Sequence, residues 1–221
     1  MRVPDKPLIA LISATPAAIG PAAEAIVHAM PAATVWNLLD DRLLVDAQDA
    51  GGVNRALSER MTRLIEYAVD AGADAVLLTC SQYGAVAVDA AAADDRVPIL
   101  GADEAAFLAV AEGRFARVLV LASLETALRD STERLGAVLS EQAAATDLVG
   151  RVAPGAAGLD VAQLVDLLAD VAGAVPDVDA VLLAQYSLSP AQSGLAGRLR
   201  VPVMAGPVLA AQRLAQRLSN A

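Results

Sequence analysis

The only cysteine of this 221-residue chain, Cys80, closes a run DAVLLTC that begins at Asp74, and a second run, DAVLLAQ from Asp179, closes on Gln185. A cysteine thiolate can act as a base or a nucleophile, and its thiol as an acid. A neutral carboxamide cannot serve as a base and is a very poor proton donor. Each run is followed by a further matched segment, RVPIL from Arg96 and RVPVM from Arg200, and the offsets agree at 105 and 104 residues. A strand, a helix and the next strand therefore recur as a block. The chain reads as a duplicated αβ unit with reactive chemistry on one copy only.

Cys80 follows Leu78-Thr79 and precedes Ser81-Gln82-Tyr83-Gly84, so it is expected at a strand terminus where a helix begins. Unpaired backbone N–H groups and the helix dipole favour an anion there and would increase the thiolate fraction. The bland alternative is a small apolar core residue. A duplicated strand end favours the functional reading. The only histidine, His28, falls in the helical stretch Pro21 to Met30, far in sequence from the strand ends, which argues against a serine-hydrolase or papain-like arrangement. There is no Gly-rich Lys-Ser/Thr phosphate loop and no GxGxxG after the first strand. One Cys and one His cannot build a thiolate or imidazole metal cage, and no intrachain disulfide can form.

Short apolar runs bounded by turn residues and separated by helix-period segments are the pattern of buried parallel strands with crossover helices. They fall at Leu8–Ile12, Thr34–Leu38, Ala75–Leu78, Val97–Leu100, Val118–Leu121, Ala180–Leu183 and Val201–Met204, with a further short strand expected between Glu141 and Gly158. In the segment Val53–Ala71, Leu57, Met61, Leu64, Ile65 and Ala68 share one helical face. The fold class is α/β: two pseudo-symmetric lobes, each a mainly parallel sheet flanked by helices. The expected division is residues 1–108, carrying Cys80, and residues 109–221, carrying Gln185, with the C-terminal helix free to pack back on the first lobe. Ligands of open parallel sheets bind beyond the carboxyl ends of strands. The residues there are rich in hydroxyls and amides: Ser13 and Thr15, Thr79 to Gln82, Ser123 and Thr126, and Gln185 to Ser187. Asn37 to Arg42, after the second strand, is either a substrate contact or a turn that caps the next helix.

A formal charge of −10 is the wrong sign for a nucleic-acid groove or an anionic membrane surface, so a small-molecule partner is expected. The hydrophobic share of 56% is ample for a sizeable core. Arg2 and Lys6 ahead of Leu8–Ile12 resemble the start of a signal peptide, but the apolar run is short and has a counterpart in the second half, so it reads as the first strand. No window approaches the roughly 20 apolar residues of a membrane span. A soluble, cytoplasmic protein is expected, and its alanine-rich helical surface would suit a homo-oligomer.

Taken in order, NLLDDRLL from Asn37, LLTCSQYG from Leu77 after a GAD turn, SLETALRDST from Ser123 and the two-lobed duplication resemble the aspartate/glutamate racemase superfamily. That group includes amino-acid and hydantoin racemases, maleate isomerase and arylmalonate decarboxylases. The resemblance spans essentially the whole chain. It implies a site in the cleft between the lobes, no cofactor, and one cysteine from each lobe facing the substrate α-carbon. Cys80 would be the first-lobe cysteine and catalytic residue. Thr15, Ser81, Gln82, Ser123, Thr126, Gln185, Tyr186 and Ser187 would bind a small carboxylate and stabilise developing enolate charge.

The second cysteine of the family pattern is replaced by Gln185, so the two-base route is broken as written. Three readings follow. A one-cysteine racemase or isomerase would use Cys80 with Tyr186, Tyr83 or water as second acid, or add Cys80 to a double bond. A decarboxylase would need only one acid, although the family's decarboxylases keep their single cysteine in the second lobe. A non-catalytic chain would only bind a small carboxylate. Tyr83 and Tyr186, beside the matched strand ends, would either close over an apolar substrate or pack at the lobe interface.

Overall fold

The first apolar run extends one residue further than its pattern, to Ser13, and forms β1 (Leu8–Ser13). The computed structural model describes residues 6–220; Arg2, whose charge bears on the signal-peptide comparison, lies outside them. From β1 the chain continues through α1 (Ile19–Ala29), β2 (Thr34–Leu39), α2 (Arg42–Asp49), α3 (Arg55–Asp70), β3 (Ala75–Leu78), α4 (Gly84–Ala93), β4 (Ile99–Leu100) and α5 (Glu104–Gly113). The second series is β5 (Arg117–Ala122), α6 (Glu125–Glu141), β6 (Asp147–Val152), α7 (Val161–Gly173), β7 (Ala180–Leu183), α8 (Gln192–Leu199), β8 (Val203–Ala205) and α9 (Gly206–Ser219). The strand expected between Glu141 and Gly158 is β6.

The first sheet has the order β2-β1-β3-β4 and the second β6-β5-β7-β8, with every pairing parallel. Register makes the duplication residue-specific. Ile9 pairs with Ala75 as Val118 pairs with Ala180, and Val76 pairs with Ile99 as Val181 pairs with Val203. Small devices recur as well. The Asp74 carboxylate accepts the Leu8 N–H at 2.7 Å, and that of Asp179 accepts the Arg117 N–H at 2.9 Å. Each aspartate thereby ties the entry of the third strand to the entry of the first. The carbonyls of Pro98 and Pro202 accept from Val76 and Val181, each at 2.9 Å. A proline lacks the N–H to continue a ladder, and the fourth strand of each sheet begins just after it.

Central strands covered on both faces need apolar side chains throughout: β3 and β7 are buried at every position, whereas the edge strand β2 has only exposed and half-buried residues. Around the first sheet, Ile12, Met61, Ile65 and Leu78 form one core; around the second, Leu119, Leu168, Leu183 and Leu195 form another. Caps set the helix starts: Asn54 accepts the Leu57 N–H at 3.1 Å for α3, and Asp160 with Gln163 forms a capping box for α7.

Contacts divide the chain into one unit of residues 1–104 with 207–221 and a second of residues 105–206. Within the first, Arg217 of α9 bonds Glu104 at 2.5 Å. No helix among the described residues is long and apolar enough to cross a membrane.

Candidate functional site

In an open parallel sheet the crevice for a ligand opens where the strand order changes direction. In the first unit that place lies between the carboxyl ends of β1 and β3, and in the second between those of β5 and β7. The hydroxyl and amide cluster at Ser13 and Thr15, Thr79 to Gln82, Ser123 and Thr126, and Gln185 to Ser187 lies at or just beyond the ends of these four strands.

In the first unit, β1 ends on Ser13 and β3 is followed by Thr79 and Cys80. The Thr79 hydroxyl donates to Ser13 Oγ at 2.8 Å, with both residues buried. This pair ties the two strand ends together. Cys80 comes next, 8% exposed, in extended backbone and at the N-cap of a 3-10 turn, Ser81–Tyr83, that leads into α4. Its carbonyl accepts the Tyr83 N–H at 3.1 Å. Ser81 and Gln82 are buried, while Thr15 is half-buried at the N-cap of a short 3-10 turn, Pro16–Ala18, with no side-chain capping bond.

Tyr83 departs from the sequence expectation. It is fully buried within the first unit's core, and its hydroxyl donates to the Leu43 carbonyl at 2.8 Å. Burial, reinforced by negative charge at Cys80 and Asp40, pushes its pKa well above the ordinary phenol value. The group therefore keeps its proton and spends it on the start of α2. Its hydroxyl is thus bonded to the backbone inside the core of the first unit.

The loop after β2 is bound from within. Arg60 meets Asp40 at 2.6 Å through Nε and 2.7 Å through Nη2, and Asp46 at 3.2 Å. Asp40 also accepts the Arg42 N–H at 3.3 Å, as a turn capping α2 would. Asn37 to Arg42 thus makes turn bonds at the entry to α2, while the N-cap Asp41 itself makes no side-chain capping bond. The role of Arg60 was not legible, because its partners lie 14 and 20 residues away. His28 is exposed in the last turn of α1, as a surface helix-end residue should be.

The second unit carries the same backbone with different side chains. Ala122 and Ala184 stand where Ser13 and Thr79 stand, and the polar link has moved on by one residue. Gln185 Oε1 accepts the Ser123 backbone N–H at 2.6 Å and the Ser123 hydroxyl at 3.0 Å. Gln185 is half-buried, like Ser123, Thr126 and Ser187, while Tyr186 is 3% exposed and begins a 3-10 turn, Tyr186–Ala191. The structure thus gathers Thr15, Cys80, Ser81 and Gln82 at one set of strand ends, and Ser123, Thr126, Gln185, Tyr186 and Ser187 at the other.

No protein-family model and no curated protein sequence matches the chain. Solved structures do. Glutamate racemase isoform RacE1 from Bacillus anthracis superposes with a TM-score of 0.76 at 14% identity, covering 97% of this chain and 82% of that one. An unliganded arylmalonate decarboxylase superposes with a TM-score of 0.65 at 24% identity, covering 95% and 92%. Allantoin racemase from Klebsiella pneumoniae gives 0.68 at 15%, covering 97% and 88%. With its two parallel four-stranded sheets of identical order, this chain has the fold of the aspartate/glutamate/hydantoin racemase superfamily.

Proposed function

We propose that this chain is a cofactor-independent enzyme of the isomerase or lyase kind, acting on a small carboxylate with Cys80 as its one proton-transferring or nucleophilic side chain. The observation that carries this is position. The single thiol sits at the N-cap after β3, at the crevice where the strand order of the first sheet changes direction, beside two strand ends tied by Ser13 and Thr79. Helix N-terminal N–H groups and hydroxyls at the same ends supply donors for a carboxylate and for enolate oxygens.

Reactions that need only one such group fit best. In a cis–trans isomerisation the Cys80 thiolate adds to the double bond, and the electron pair moves onto the conjugated carboxylate. Rotation follows about the new single bond, and the S–C bond then breaks to restore the alkene. Racemisation needs a second acid on the opposite face. With Tyr83 committed to Leu43 and Gln185 a neutral amide, that role falls to water or Tyr186.

A second reading, decarboxylation of a malonate, needs no acid on the opposite face and so suits a neutral amide at Gln185 whose oxygen is already bonded to Ser123. There the C–CO₂ bond breaks, its electron pair becomes an enediolate held by the donors, and the Cys80 thiol protonates the carbon on one face. Solvent then restores the thiol.

The test is proton NMR in D₂O on maleate, phenylmalonate, glutamate and aspartate, with Cys80→Ala alongside. Cys80-dependent isomerisation, α-deuteration or CO₂ release supports the proposal and names the reaction. Ligand binding with no turnover in the parent would reduce the chain to a binding protein.

A further inference from the structure

We infer that Gln185 is a fixed, donor-only contact for a ligand carboxylate oxygen, and so a specificity-determining residue rather than an inert replacement for an acid. This rests on the small-carboxylate reading above and deepens it.

A carboxamide can usually be turned either way, because its oxygen and nitrogen look alike. Here the backbone decides. The Ser123 N–H can only donate, so the Gln185 atom 2.6 Å away must be the acceptor oxygen. The Ser123 hydroxyl at 3.0 Å occupies the same oxygen's second lone pair. With Oε1 taken twice by one residue, the planar amide must turn Nε2 and both its N–H groups away from Ser123. No acceptor for Nε2 occurs among the described residues, and the side chain is half-buried rather than sealed.

The position reinforces this. Gln185 ends the β7 run in extended backbone, beside the place where the order of the second sheet changes direction, and it matches Cys80 of the first sheet. Two fixed donors with no free acceptor select for an oxygen that carries negative charge. They offer nothing to an ammonium group or a hydroxyl proton. The ligand class is therefore one that places a carboxylate or an enolate oxygen, not an amino group, against the end of β7.

The experiment uses the full chain uniformly labelled with ¹⁵N, titrated with malonate, phenylmalonate and maleate. The Gln185 side-chain pair of signals is identified by its loss in Gln185→Glu. On carboxylate addition the Gln185 Nε2 protons should shift, while the Ser123 backbone amide keeps the low-field position of a short hydrogen bond. Gln185→Glu keeps an acceptor for Ser123 but turns a negative oxygen outward, and should weaken carboxylate binding by about tenfold or more. Ser123→Ala frees one lone pair of Oε1 and should weaken it by only about two- to threefold. If the parent binds these carboxylates but the Gln185 signals stay still, or if Gln185→Glu binds them equally well, the inference falls alone. If the parent binds none of them, the small-carboxylate reading falls and takes the inference with it. Should Gln185→Glu fail to fold, the signals are identified instead with Gln185→Met, and the parent titration decides.

Discussion

The two sheets share strand order and register, yet the ends of their first and third strands are locked in different ways. In the first, a hydroxyl pair, Ser13 and Thr79, makes the cross-strand link, and the next position on β3 is left to a thiol. In the second, the matched pair is Ala122 and Ala184, and the link is made one residue later, by Ser123 to Gln185. The lock thus occupies the very position that holds the thiol in the other sheet. A duplicated frame conserves geometry without conserving side chains, because a shift of one residue changes which strand-end group is tied across the sheet.

The comparison is broken most severely at Cys80. Cys80→Ala should reduce turnover by about 10²–10⁴-fold, the usual worth of a positioned acid or base, while leaving the melting temperature nearly unchanged. Turnover that survives the substitution would remove the asymmetry between the sheets as an explanation of function.

Gln185→Cys tests whether the second position could carry chemistry. Ser123 loses a short acceptor, so stability should fall by about 1–3 kcal/mol in urea unfolding. In return a chiral product formed as one enantiomer by the parent should emerge as a mixture, read by chiral chromatography. An unchanged product would show that a thiol at the end of β7 does not reach the reacting carbon.

Tyr83 sharpens the contrast between a structural and a reactive group. Tyr83→Phe leaves the buried Leu43 carbonyl without its donor and should cost about 1–2 kcal/mol. Its pH signature has a definite sign. The folded pKa lies above the unfolded value of about 10, so the stability contributed is complete below that pH. Above it the unfolded chain releases the proton first, and the contribution is lost as pH rises toward the folded value. Urea midpoints at pH 9 and 11 should fall more steeply in the parent than in Tyr83→Phe.

The smallest effect tests what the two units share. Asp74→Ala and Asp179→Ala should each destabilise by about 1 kcal/mol, since both remove a charge-assisted strand-entry bond. Asp74→Ala should cost more, because its bond is part-buried and that of Asp179 is exposed. Equal and negligible costs would mean that the repeated aspartates are solvated ends rather than ties.

Much of this was legible in the residues themselves. Parallel strands buried on both faces must be apolar along their length, so β1, β3, β5 and β7 stand out as continuous runs, and the repeated DAVLL and RVP segments fix the duplication before any coordinate is known. The edge strand β6, only partly apolar and interrupted by Gly150, was legible as a position but not as a boundary. The candidate site was legible as a set of strand ends with one thiol and one amide. Tertiary structure alone decided what each of those groups is bonded to, because the partners lie far apart in sequence: Ser13 with Thr79 at 66 residues, Leu43 with Tyr83 at 40, Ser123 with Gln185 at 62. Sequence determined which chemistry is available at the strand ends. Folding determined which of those groups are spent on holding the frame, because a hydrogen bond depends on distance and direction, and strand pairing rather than chain spacing supplies both.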